Sequence, residues 1–150
     1  MSPDGDRVLL LDTHVWVWYV ENEAGQLSRR IEPLVEAAVR RGGVVVSAIS
    51  VWEVALLEAV RRIDLSVDVR TWVGRALAFP GVRLTGLSPS IAIESTRLPG
   101  QLHRDPADRI LIATARLLGA ALVTRDERIL AYAKKGHVRV VDATPQAGGP

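Results

Sequence analysis

Four apolar residues in a row, Val8-Leu9-Leu10-Leu11, are closed by an aspartate, Asp12. An apolar run without alternation needs cover on both faces, as in a strand of a parallel sheet sandwiched between helices. Val44-Val45-Val46 and Ala121-Leu122-Val123-Thr124 repeat the pattern, and Val82-Arg83-Leu84 and Val138-Arg139-Val140-Val141 are two further candidate strands. Helical periodicity fills the intervals. Thr13 to Val20 forms a short helix behind Asp12. Ser28 to Arg41 puts Ile31, Leu34, Val35, Ala38 and Val39 on one stripe and stops at Gly42-Gly43, with Pro33 in a first turn that starts near Glu32. Ser50 fits the N-cap of the next helix, whose apolar stripe is Trp52, Ala55, Leu56, Ala59, Val60 and Ile63. A helix over 68–79 turns Val69, Trp72, Val73, Ala76 and Leu77 inward and ends at Pro80-Gly81. Ser88-Pro89 opens a short helix, Asp105-Pro106 opens one that closes at Gly119, and a last one spans 127–135. Strands alternating with helices predict an α/β fold of three layers, α/β/α, around a mostly parallel sheet. In such sheets ligands bind outside the carboxyl ends of the strands.

The 150 residues suit a single domain over 1–150, with an ordered core at about 7–142 and disorder expected in the first six residues and the tail 144–150. There is no cysteine, so disulfides, thiol nucleophiles and thiolate metal sites are excluded. No apolar run approaches the roughly 18 residues of a membrane span, and the polar start Met1-Ser2-Pro3-Asp4-Gly5-Asp6 is unlike a signal peptide. A cytoplasmic protein is expected. The net charge of +2 is too small to mark a nucleic-acid binder. Lys134 and Lys135 are the only lysines, an arginine bias that GC-rich coding explains better than phosphate binding does.

The chemistry lies in the acids at the strand ends. Asp12 follows the first strand, Asp126 follows Thr124 by two residues, and Glu53 and Asp108 stand in the first turns of two helices. Each also fits a structural role. Asp12 can cap the helix from Thr13, and Ser50 with Glu53 has capping-box spacing. Asp105, Pro106 and Asp108 fit N-cap, N1 and N3, and Asp126 fits a turn. Together they say more, because several carboxylates meeting at one edge repel and need protons or a cation. Oxygen ligands without cysteine suit Mg²⁺ or Mn²⁺, which activate water at phosphoryl centres. No GxGxxG follows a strand, and neither GxxxxGK[ST] nor GxSxG occurs. His14 stands where a haloacid-dehalogenase-like phosphatase needs a second aspartate. His14, His103 and His137 have no metal-ligand spacing and read as polar surface or capping residues, and Trp16, Trp18, Trp52 and Trp72 as core or subunit contacts.

Four blocks in order resemble the PIN-domain ribonuclease family, particularly its VapC-type toxins. They are Leu10-Leu11-Asp12-Thr13-His14, Ser47-Ala48-Ile49-Ser50-Val51-Trp52-Glu53, His103-Arg104-Asp105-Pro106-Ala107-Asp108-Arg109 and Leu122-Val123-Thr124-Arg125-Asp126, and the likeness spans Val8 to about Asp142. The resemblance implies Asp12, Glu53 and Asp108 as the acidic triad, Asp126 as a more variable fourth acid and Asp105 as an additional one. It implies hydroxyls near the metal at Thr13 and Thr124. It also implies a Mg²⁺-dependent endoribonuclease acting on RNA, a homodimer, and an antitoxin that covers the acidic crevice; apolar surface from Trp16, Trp18 and the Trp52 helix is a candidate anchor for that partner. Arg109 and Arg125 are candidates for positioning the RNA backbone. The alternatives are a catalytically silent PIN-like module that binds RNA or protein, and a DNA-directed flap-type nuclease.

Overall fold

The computed structural model describes residues 7–23 and 25–146. In chain order the elements are β1 (Leu9–Leu11), α1 (Thr13–Val20), α2 (Ile31–Arg40), β2 (Val44–Ser47), α3 (Ala48–Ala59), α4 (Val69–Ala78) and β3 (Val82–Thr85), followed by α5 (Pro89–Ser95), α6 (Pro106–Leu118), β4 (Ala121–Thr124), α7 (Glu127–Ala133) and β5 (Val140–Asp142). The sheet has the order β3-β2-β1-β4-β5, and every neighbouring pair is parallel. Expected and observed elements agree to within a few residues. The expected disorder in residues 1–6 and 147–150 lies outside the described residues, whereas Thr144, placed in the expected tail, donates its amide to Asp142 Oδ1 at 2.9 Å.

Alternate side chains of the central strands feed two cores. Leu9, Leu11, Val44 and Val46 face one cluster, with Val15 and Trp16 of α1, Ile31 and Val35 of α2, and Trp72 of α4. Leu10, Val45 and Leu122 face the other, with Ile91, Leu111, Ile112 and Ile129 of α5, α6 and α7. This two-sided burial is why β1, β2 and β4 are apolar without alternation. Gly81, with φ 92°, precedes β3 where a Cβ would fall 2.0 Å from the Val39 carbonyl oxygen, so the chain passes α2 only as glycine.

Two sequence expectations are corrected on α3. Its N-cap is Ser47, which accepts the Ile49 amide at 3.1 Å, and Ser50 is fully buried within the helix. The expected inward stripe is largely the outward one: Trp52 is 57% exposed, and Leu56 and Val60 also face solvent. The helix buries Ser50 and Val54 instead. Trp16 is corrected too. It packs edge-on against Trp72 in the core, with ring centroids 4.9 Å apart, and so offers no surface to a partner. Among the described residues no helix is long and apolar enough to cross a membrane.

Candidate active site at the carboxyl edge of the sheet

The sheet order reverses between β1 and β4, and in open parallel sheets the ligand crevice lies outside the carboxyl ends of the strands at such a reversal. Asp12 stands there as the N-cap of α1, accepting the Thr13 amide at 2.8 Å through Oδ1 and the Thr124 hydroxyl at 2.7 Å through Oδ2. Its structural and chemical roles therefore coexist. Burial, reinforced by the charges of Asp108 and Glu53, pushes its pKa up to about 7 against the two hydrogen bonds.

Glu53 arrives from α3. With Ser47 as the cap there is no capping box, and the carboxylate is free to face the crevice. Thr13 Oγ1 stands 2.5 Å from Glu53 Oε1 and 2.8 Å from Ser50 Oγ. A threonine hydroxyl has one proton and a carboxylate only accepts, so that proton goes to Glu53. Burial raises the Glu53 pKa, the Thr13 hydrogen bond opposes it, and the charges of Asp108 and Asp105 raise it further.

The start of α6 separates its two aspartates. Asp105 is the exposed N-cap and accepts the Asp108 amide at 3.0 Å. Asp108, in the first turn, points inward, and its Oδ2 meets His103 Nε2 at 2.7 Å. The imidazole donates to this carboxylate, which offers only lone pairs. Burial raises the Asp108 pKa, the His103 hydrogen bond lowers it, and Asp105 and Asp126 raise it. Asp126 caps α7 with Oδ1, which accepts the Arg128 and Ile129 amides, while its own amide donates to Thr124 Oγ1 at 3.0 Å.

Asp12, Glu53, Asp108 and Asp126 thus come from four segments to one edge, and Asp105 stands beside them at its solvent side. The two arginines expected on the RNA are engaged within the chain. Arg109 donates to the carbonyls of Ser95, Leu102 and His103, clasping the loop before α6. Arg125 donates to Gln26 and lies 4.8 Å over the Trp18 ring. Three residues of the site escaped the sequence reading. Ser50 is buried beside Thr13, His103 holds Asp108, and Arg128 places Nη2 3.9 Å from both Asp108 Oδ2 and Asp126 Oδ2. Their only signals were proximity in sequence to the acids.

Among the described residues no three carboxylates or histidines close around one point as a ready cage. The donor set nevertheless fits a hard divalent cation, since Mg²⁺ keeps several waters and takes one or two carboxylates. Three acids lifted above their ordinary range are the electrostatic counterpart of such a site, because a cation relieves what burial and mutual repulsion impose.

The model of the PIN domain family matches residues 9–135. Ribonuclease VapC22 of Mycobacterium tuberculosis is 36% identical over 124 residues, covering 83% of this chain and 91% of that protein. Among solved structures, VapBC2 from Rickettsia felis bound to a DNA fragment from its promoter shares the fold at 13% identity and a TM-score of 0.66, covering 91% of this chain and 98% of that one. DNA-bound VapBC from Salmonella typhimurium does so at 16% identity and a TM-score of 0.61, covering 91% and 98%. The chain belongs to the PIN-domain family, in its VapC-type branch.

Proposed function

We propose that this protein is a metal-dependent endoribonuclease toxin that hydrolyses RNA phosphodiester bonds and is held off by a cognate antitoxin. The observation that carries this reading is the convergence of Asp12, Glu53, Asp108 and Asp126 at the crevice between β1 and β4, with three of them raised in pKa. A VapC ribonuclease is the 36% identical relative, and structural neighbours are toxin–antitoxin complexes; both support RNA as substrate and an antitoxin as partner.

In this reading Asp12 and Asp108 would hold Mg²⁺, or Mn²⁺ in its place, together with Glu53 and Asp126, with Asp105 as an additional acid beside them. When bound, the ion supplies an activated water and neutralises charge on the phosphate and the leaving oxygen. Thr124 and Thr13 fix Asp12 and Glu53 by hydrogen bonds, so that neither carboxylate reorients as charge develops. His103 does the same for Asp108. Arg109 keeps the loop carrying His103 in place rather than gripping RNA. The functional particle is a homodimer acting in the cytoplasm, and the antitoxin covers the acidic crevice with a basic side chain. Sequencing RNA ends from cells that express the protein without its antitoxin tests the reading. New internal ends absent from cells expressing Asp108→Asn support it. Identical end profiles would favour a silent binding module, and cuts confined to DNA a flap-type nuclease.

A further inference from the structure

Arg109 and Arg125 commit their guanidinium groups to main-chain carbonyls, but Arg128 is placed differently. It stands in the first turn of α7 with its side chain 62% exposed, and its Nη2 lies 3.9 Å from Asp108 Oδ2 and 3.9 Å from Asp126 Oδ2. That distance is too long for a hydrogen bond, so charge alone holds the guanidinium between carboxylates of two helices. With its guanidinium largely in solvent and no hydrogen bond to either carboxylate, such a pairing is weak and readily given up. The backbone beneath it is fixed, because Asp126 Oδ1 accepts the Arg128 amide at 2.9 Å. The side chain therefore moves from an anchored base.

We propose that Arg128 is a displaceable counter-ion of the Asp108–Asp126 pair, which balances these carboxylates when no divalent ion is bound and turns to an RNA phosphate when one is. The proposal rests on the nuclease reading above. A guanidinium cannot shed its charge by deprotonation, so a divalent ion arriving at Asp108 repels it. A phosphodiester brought to the same edge offers two oxygens that match its planar fork. The exposure of Arg128 leaves it room to make that exchange.

Calorimetric titration of the full-length protein with Mn²⁺, without RNA, tests the first half. Arg128→Ala is expected to bind Mn²⁺ about threefold more tightly, the size that a weak ion pair commands, with Arg128→Lys close to the parent. Anisotropy of a labelled single-stranded RNA at saturating Mn²⁺, read on ice before turnover, tests the second half. There Arg128→Ala is expected to bind about threefold or more weakly. A merely structural role would weaken both. Unchanged or weaker Mn²⁺ binding in Arg128→Ala with an intact circular dichroism spectrum overturns the counter-ion, and unchanged RNA affinity overturns the transfer to phosphate. If the parent protein cuts no RNA while Arg128→Ala still binds Mn²⁺ more tightly, the counter-ion stands and the nuclease reading falls.

Discussion

Thr124 gives its hydroxyl proton to Asp12 Oδ2 at 2.7 Å, joining residues 112 positions apart in sequence. Thr124 Oγ1 in turn accepts the Asp126 amide at 3.0 Å. One fully buried side chain at the end of β4 thus sets the carboxylate that follows β1 and the cap of α7 together. Replacing Thr124 by valine keeps the volume and removes both contacts. The variant is expected to unfold at lower denaturant, by about 1–3 kcal/mol for a buried hydrogen bond to a charged group. Asp12, freed of the bond that lowers its pKa, is expected to titrate higher, so the pH at which activity reaches half its maximum should rise. An activity profile identical to the parent would remove Thr124 from the site.

Asp12→Asn is expected to abolish cleavage and to stabilise the metal-free protein in a pH-dependent way. The folded-state pKa of about 7 lies above the ordinary 3.8, so the fold favours the neutral acid. Stability from this group is complete below pH 3.8 and is lost as pH rises through 7. Asparagine carries no charge to bury. The variant should therefore melt above the parent at pH 8, by several degrees at about 2–4 °C per kcal/mol, and alongside it near pH 4. Thermal melts in EDTA at the two pH values check this. A gain at pH 4 equal to that at pH 8 would show that repulsion and burial of the charge are not the cause.

Glu53→Gln separates chemistry from helix capping. Ser47 caps α3, so loss of the Glu53 charge leaves the helix start intact. Activity is expected to fall by 100-fold or more, roughly the effect of removing one electrostatic contact in a preorganised site, with the melting temperature held or raised. A variant that unfolds instead would make Glu53 structural.

Asp105 and Asp108 lie three residues apart at one helix start, yet only Asp108 points inward. Asp105→Asn retains a good N-cap and is expected to keep most of its activity. Asp108→Asn is expected to lose activity by at least as much as Glu53→Gln. The reverse ranking in a side-by-side cleavage assay would make Asp105 the principal ligand.

The sheet, its order of strands and helices and the edge where the acids meet were legible because burial on both faces writes unbroken apolar runs, and because the acids fall just beyond them. The orientation of α3 was not. That helix is apolar on two sides, with Val51 and Val54 on one and Trp52, Leu56 and Val60 on the other, and periodicity alone does not say which turns inward. The helix start was misread because Ser47 and Ser50 are equally good caps by type, and only the end of β2 distinguishes them. The intrachain partners of the arginines were not legible for a related reason. Arg125 is taken by Gln26, 99 residues away, and no local pattern encodes a partner at that distance. His103, by sequence a surface or capping residue, instead meets Asp108, across a loop and a helix start rather than along one turn, so no periodicity marks the contact.

Cleavage of purified RNA by the isolated protein, with Mg²⁺ added back after EDTA treatment, tests the central claim most directly when run beside Asp12→Asn and Asp108→Asn. The expected result is internal cleavage by the parent that EDTA stops and Mg²⁺ restores, with neither variant cutting although both remain folded. Cleavage that persists in EDTA, or that either variant retains at the parent's rate, would contradict a metal-dependent nuclease built on these acids.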